Sequence, residues 1–472
     1  MNDTKTRTNR IIYLGKAKKI AVLLGLFLSG SAVLLAQTAA APQQNTSNAR
    51  AGQPLPGLKA EELSLFDASK QTFQAVDGVQ EGFGPRFNAS SCAMCHAHPA
   101  IGGSSPPFNP QIASANANGA RNLIPGFITL NGPIREARFK LAVDARGKVI
   151  MPSQRDGGVH ALFTITGRTD APGCILAQPP FALAAAQNNL AFRIPTPTFG
   201  AGLIEAIADD TILNSFAATR AARIAVGITG HPNRNDNDGT INRFGWKAQN
   251  KSILVFSGEA YAVEQGVTNE LFPNERDTEA TPMPKSCYFN GVSEDHAQID
   301  LLAQPGTPFA EVSNDIVLLS FFMRYLAPPA PQCDSFRGSN CPADVRRGRA
   351  VFEQTGCALC HTPTLAVGKS PIAAVTNQRT AQLFSDLLVH HMGAGLADGI
   401  TQGQAGDDEF RTAPLWGLGQ RVFFLHDGRT NNVEEAIKLH ASTGSEANQV
   451  IGRYHSLPAS DKQALVKFLK SL

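Results

Sequence analysis

Apolar residues recur at helical intervals in three stretches of the chain. In ADVRRGRAVFEQTG (343–356), Val345, Val351 and Phe352 fall on one face, which predicts an amphipathic helix running into the Cys357 turn. In LSLFDASKQTF (63–73), Leu63, Phe66 and Phe73 repeat the pattern ahead of Cys92. Each cysteine turn would then end a helix able to cover one edge of a bound group. The chain finishes with PASDKQALVKFLKSL, where Ser460 is suited to cap a helix whose apolar face is Leu465, Phe468, Leu469 and Leu472. Pairing of that helix with the one before Cys357 would close a compact unit.

A different pattern marks the N-terminus. Arg10, Lys16, Lys18 and Lys19 precede an apolar run from Ile20 to Ala36, and small residues continue through Ala41. This is the basic, apolar and small-residue order of a secretory signal, expected over 1–41 with removal near Ala36 to Ala41. The run is also at the short end of what spans a bilayer, so an uncleaved membrane anchor is the alternative. Polar residues after it predict a flexible leader over 42–60.

Composition adds bounds. With 472 residues and 43% hydrophobic content the chain can build two or three cores. Forty-two glycines and 30 prolines against 7% aromatics favour helices joined by long irregular loops over a strand-rich sandwich. A net charge of only +3, without blocks of like charge beyond the N-terminus, argues for no nucleic acid partner.

The cysteines carry the chemistry. Four of the eight sit in CAMCH (92–96) and CALCH (357–361), two copies of Cys-x-x-Cys-His where chance at this composition would give roughly 0.003. Two thiols three residues apart on one turn can each add to a vinyl group of one porphyrin, and the adjoining histidine is placed to bind its iron. The reading is therefore two covalently bound haem c groups, held by Cys92, Cys95 and His96 and by Cys357, Cys360 and His361. A redox dithiol does not need the histidine, and a zinc site would want two such pairs close together. For Cys174, Cys287, Cys333 and Cys341, an oxidising compartment favours two disulfides. The short loop between Cys333 and Cys341 favours pairing those, although three connectivities are open.

Longer phrases resemble one family: GPRFNASSCAMCHAHPAIGG (84–103), IPTPTFGAGLIEAI (194–207), RFGWKAQN (243–250), FSDLLVHHMGAGLADG (384–399), RTAPLWGLG (411–419) and FLHDGRTNNVEEAIKLH (424–440). They look like the bacterial di-haem oxidoreductases described as peroxidases or thiol oxidoreductase-like proteins. FLHDGRTNNVEEAI also resembles a phrase of di-haem cytochrome c peroxidases and of the related enzyme that matures a tryptophan cofactor. The resemblance implies a mainly α fold of two cytochrome c-like domains with long loop insertions. One haem would exchange electrons and the other would react with peroxide.

The ligand opposite each histidine decides reactivity, because a six-coordinate haem passes electrons and an open one can bind a substrate. In the relatives the phrase around 424–440 continues to a methionine that binds iron; His440 stands there in this chain. His361 and His440 are thus the expected pair, with Met392, His390 and His391 as rivals. For the first haem, His98 is too near His96 to reach the far face, and His160 is the best distal candidate. Without a distal ligand the iron is open to peroxide, and a nearby carboxylate would move the proton between its oxygens. Glu205, interrupting the apolar run of FGAGLIEAI, is the candidate, since an unpaired charge there would be costly. Trp246 and Trp416, the only tryptophans, are candidate electron relays between the haems or else packing residues. NRNDNDG (233–239) hints at calcium, which related di-haem enzymes hold between domains, yet departs from the EF-hand pattern and reads better as a solvated turn.

The expected architecture is an N-terminal cytochrome c-like domain over 61–331 and a C-terminal one over 343–472, with proline-rich APPAPQC (327–333) as linker. The expected function is a periplasmic oxidoreductase, a peroxidase drawing on a periplasmic electron donor or acceptor protein; the alternative is an electron carrier with two six-coordinate haems.

Overall fold

Helix outweighs strand, 34% against 11%, in the computed structural model, which describes residues 51–276, 283–287, 314–333, 340–370, 373, 376–377 and 379–472. The expected signal segment lies outside the described residues. The later part of the expected leader is tied down: Leu55 is buried and its N–H donates to the Tyr325 carbonyl at 2.7 Å.

Helix α1 (Ala60–Gln74) buries Phe66, Ser69 and Phe73, whereas Leu63 is 40% exposed. A small antiparallel sheet follows, β1 (Glu136–Phe139) between β2 (Val159–His160) and β3 (Leu190–Arg193), with Glu136 opposite Arg193. Helix α2 (Ile253–Ala260) starts at Ser252, whose hydroxyl accepts from the Val255 N–H, and ends in a single π-turn over Tyr261–Gln265. Helix α3 (Asp315–Tyr325), capped by the Asn314 side chain, lays Phe322 against Phe66 and Phe73 of α1, with ring centres 5.5 and 4.6 Å apart.

Helix α4 (Ala343–Thr355) buries Val345, Val351 and Phe352 and stops at Gly356, whose φ of 102° few other residues adopt. The chain turns there directly into Cys357. Strands β4 (Val389–His391) and β5 (Glu409–Arg411) pair antiparallel. Helices α5 (Val433–Lys438), α6 (Asn448–His455) and α7 (Ala459–Lys470) complete the chain. As expected, α7 packs along α4, burying Leu465, Phe468 and Leu469, with Phe468 set between Phe352 and Phe384. Its cap differs: Pro458 occupies the N-cap position, and Ser460 lies within the first turn without capping it.

The first motif departs from the expected geometry. Helix α1 ends at Gln74, and residues 75–91 intervene before the separate turn Cys92–Cys95. Phe73 still meets His96 edge-on at 6.0 Å, so α1 covers the site by packing rather than by continuity. Disulfides join Cys174 to Cys287 and Cys333 to Cys341, the favoured connectivity. The proline-rich stretch runs beside the C-terminus, where the Gln332 N–H donates to the Ser471 carbonyl. The largest apolar cluster reaches from Leu55 through Phe322 to Leu388 and Trp416, so residues on both sides of that stretch share one core.

Candidate functional site

Both Cys-x-x-Cys-His turns present their histidine in the same way. The His96 N–H donates to the Cys92 carbonyl and the His361 N–H to the Cys357 carbonyl, each at 3.0 Å. His96 Nδ1 lies 3.1 Å from the Gly103 carbonyl oxygen, and His361 Nδ1 lies 3.0 Å from that of Phe384. A carbonyl only accepts, so Nδ1 carries the hydrogen in each ring and Nε2 keeps its lone pair for a metal. Burial lowers the pKa of both imidazoles, that of His361 to about 4, which holds them in the neutral ligating form. The thiols are unlike those of a redox dithiol: burial pushes Cys92 and Cys95 well above the ordinary range and Cys357 up to about 12.

Each turn opens onto a cavity. The first, partly open to solvent, spans about 1170 Å³ beside Cys92, Cys95 and His96, and His96 is the only histidine in its wall among the described residues. Three wall residues, Asn88, Ser91 and Gln265, keep a buried polar atom without a hydrogen-bond partner, as expected where another group completes the site. The second, also partly open to solvent, spans about 1410 Å³ beside Cys357, Cys360 and His361. His440, two residues beyond α5, lies across from His361 with ring centres 6.5 Å apart. Two imidazoles on one iron, with bonds of roughly 2.0 Å, would set their centres roughly 6.3 Å apart. His440 Nδ1 is 2.7 Å from the Ala436 carbonyl oxygen, which again leaves Nε2 for a metal. The donor set therefore fits a haem with a histidine on each side in the second cavity, and a haem with one histidine in the first.

The rivals of His440 sit differently. His390 lines the second cavity, but its nitrogens are engaged by Asp386 at 3.0 Å and Glu446 at 2.7 Å. Burial opposes its charge, while Cys360 first and Asp386 after it raise its pKa well above the ordinary value, and the two carboxylates occupy both ring nitrogens. His391 is turned toward Asp408 and Glu409 on the surface. Met392 also lines the cavity.

Two expectations for the first cavity are corrected. His160 is on β2, stacked on Phe139 at 3.8 Å with Nε2 on Asp156, and does not line the cavity. Glu205 does not line it either. Its carboxylate accepts from Arg324 Nε at 2.7 Å and from the Ile253 N–H at 2.8 Å, so a buried arginine and the start of α2 neutralise the charge that made it conspicuous. Three carboxylates do line the cavity, those of Glu136, Glu259 and Glu264, and Glu264 stands on the π-turn. Burial, with Glu136 and Glu259 nearby, pushes its pKa up to about 8. Next to it, Gln265 Nε2 is 3.7 Å from Cys92 Sγ. The sequence signal for Glu264 was a Glu-Gln pair inside the apolar run YAVEQGV, the kind of interruption that drew attention to Glu205 instead.

Between the cavities stands Trp246, which lines both. Its indole N–H donates to the Ile194 carbonyl at 2.8 Å, and its ring meets His426 edge-on at 6.4 Å. A buried charge cluster backs it: Asp398 binds Arg193 Nη2 at 2.7 Å and Lys247 Nζ at 3.2 Å. Trp416 lines neither cavity and packs over Gly200, where any Cβ would come within 2.5 Å of the indole. In 233–239 the polar groups satisfy one another: Arg234 Nη1 donates to the Gly239 carbonyl at 2.7 Å, and Asp238 pairs with Lys251 and Thr240.

Comparison with known proteins gives the site its family. No curated protein matches the chain. Among solved structures, similarity is found to hydrazine synthase of Kuenenia stuttgartiensis (21% identity, 36% of this chain and 59% of that one, TM-score 0.24). A MauG-like protein associated with microbial copper homeostasis is similar at 20% identity (34% and 56%, TM-score 0.24). The diheme peroxidase BthA of Burkholderia thailandensis is similar at 15% identity (35% and 52%, TM-score 0.24). The chain thus spans less than two thirds of each of these proteins. The family model described as "Di-haem oxidoreductase, putative peroxidase" matches residues 163–472, which include the second cysteine turn, Trp246, Glu264 and His440. With haem as the cofactor that family implies, the chain belongs to the di-haem oxidoreductases.

Proposed function

We propose that the chain is exported to the periplasm, receives two thioether-linked haems, one in each of two cytochrome c-like modules, and reduces peroxide at the first with electrons entering from a partner protein through the second. One observation carries this reading. Two cavities share Trp246 in their walls, and a second histidine faces the cysteine turn in one of them only. When bound, the haems would supply one-electron transfer and, at the first site, iron able to react with peroxide. The chain's own residues do the rest. His361 and His440 would hold the second haem, and His96 the first. Glu264 takes the proton from one peroxide oxygen and delivers it to the other, so that two electrons and two protons convert one peroxide to two waters. Trp246 offers an aromatic path between the sites, oriented by its bond to Ile194.

The test uses the full chain secreted from a host that matures c-type cytochromes. Intact mass and a pyridine haemochrome count are expected to show two haems, and spin-state spectra one low-spin and one open iron. Half-reduced protein mixed with hydrogen peroxide is expected to change spectrum rapidly and to turn over. Two low-spin haems with no response to peroxide would instead make it a carrier, and an apoprotein of bare polypeptide mass would sink the reading.

A further inference from the structure

We infer that Arg411 and Arg421 seat the carboxylate edge of the haem bound at Cys357, Cys360 and His361, an inference that rests on the two-haem reading above. Arg411 ends β5, and Arg421 follows a turn at Leu418–Gln420. Both line the second cavity, and both also line a smaller one of about 600 Å³ that shares Trp246 with the other two.

Their surroundings lack a counter-charge. Arg411 donates from Nε to the Gly245 carbonyl at 3.0 Å and from Nη1 to the Thr412 carbonyl at 3.4 Å. Arg421 donates from Nη2 to the Pro414 carbonyl at 3.1 Å. Among the described residues neither forms an ion pair. Four other enclosed arginines do: Arg193 with Asp398, Arg223 with Asp386, Arg243 with Asp209 and Arg324 with Glu205. Asp386 is the carboxylate whose field reaches Arg411, and it is already held by Arg223 and His390. Burial draws both guanidiniums down to about 10, and Arg411 also feels the like charge of Arg421. They stay charged at neutral pH, and an enclosed cation without a partner is unfavourable. A haem brings two propionate carboxylates, and the planar guanidinium fork matches a carboxylate with two parallel hydrogen bonds. Two uncompensated arginines near enough to feel each other's charge, both in the wall of that cavity, are the complement of that edge.

Arg411→Gln, Arg421→Gln and Arg421→Lys variants of the full holoprotein test this, with the potential of the low-spin haem titrated against pH. Loss of a cation beside the propionates favours the ferric state and raises the propionate pKa. Arg421→Gln is therefore expected to keep two haems, lower the potential of the second and add a pH dependence that native protein lacks. Arg421→Lys is expected to restore most of both. His390, His426, Asp386 and Glu446 are common to native and variant protein, so the difference between profiles reports the propionates. Glutamine variants with native potential and profile overturn the inference, as does a lysine variant shifted as far as the glutamine one. Should Arg411→Gln fail to accumulate, the Arg421 pair decides. Failure of the two-haem reading looks different, as native protein with no haem on the peptide containing Cys357 and Cys360.

Discussion

At the scale of residues, the two Cys-x-x-Cys-His turns were legible because their pattern is local: two thiols and an imidazole within five positions. The carboxylate proposed to move the proton was not. Glu205 and Glu264 both interrupt apolar runs, and what separates them is Arg324, 119 positions from Glu205 and brought to it only by folding. Glu264, with a pKa of about 8 in the cavity wall, is protonated below that pH and ionised above it. A base must be ionised to accept a proton, so the rate of peroxide consumption is expected to climb as pH rises toward 8. Glu264→Gln should remove the climb and slow the reaction by roughly 10²–10⁴-fold. Glu205→Gln should leave the profile in place and lower stability instead. Rates measured from pH 5 to 9 on both variants check this, and an unchanged profile for Glu264→Gln assigns the proton step elsewhere.

At the scale of elements, the amphipathic repeats anticipated α1, α4 and α7 because burial on one face follows directly from spacing. The cap at Ser460 was misjudged since the extended Pro458 already sets the start of α7. Also hidden was how closely α4 and α7 approach. A Cβ on Gly348 would fall 2.0 Å from the Ala464 carbonyl oxygen, so the contact tolerates only glycine. Gly348→Val is expected to force the helices apart and destabilise the protein by about 1–3 kcal/mol. Because α4 leads into Cys357, the loss should appear first at the second haem. Denaturant melts followed at the low-spin band should show it detaching from its axial histidine before the first site responds. Simultaneous loss at both sites would mean that the helix pair does not act locally.

At the scale of the whole molecule, the sequence offered two equivalent tryptophans, and only the assembled fold separates them. Trp246 is in the wall of both cavities and Trp416 in neither, although both flank glycines in similar phrases. Trp246→Phe is expected to preserve haem content and both resting spectra while slowing redistribution of electrons between the haems after a pulse of reductant. The same experiment on Trp416→Phe should give native kinetics with a lower melting temperature. Equal kinetics in both variants would remove Trp246 from the path.

His96, His361 and His440 each give their Nδ1 hydrogen to a main-chain carbonyl: Gly103, Phe384 and Ala436. The aim of all three rings is thus fixed by the course of the polypeptide, and no neighbouring side chain can be mutated to release it. Drift in the surrounding sequence can retune polarity or access around either iron, yet the direction from which each imidazole approaches is inherited with the backbone.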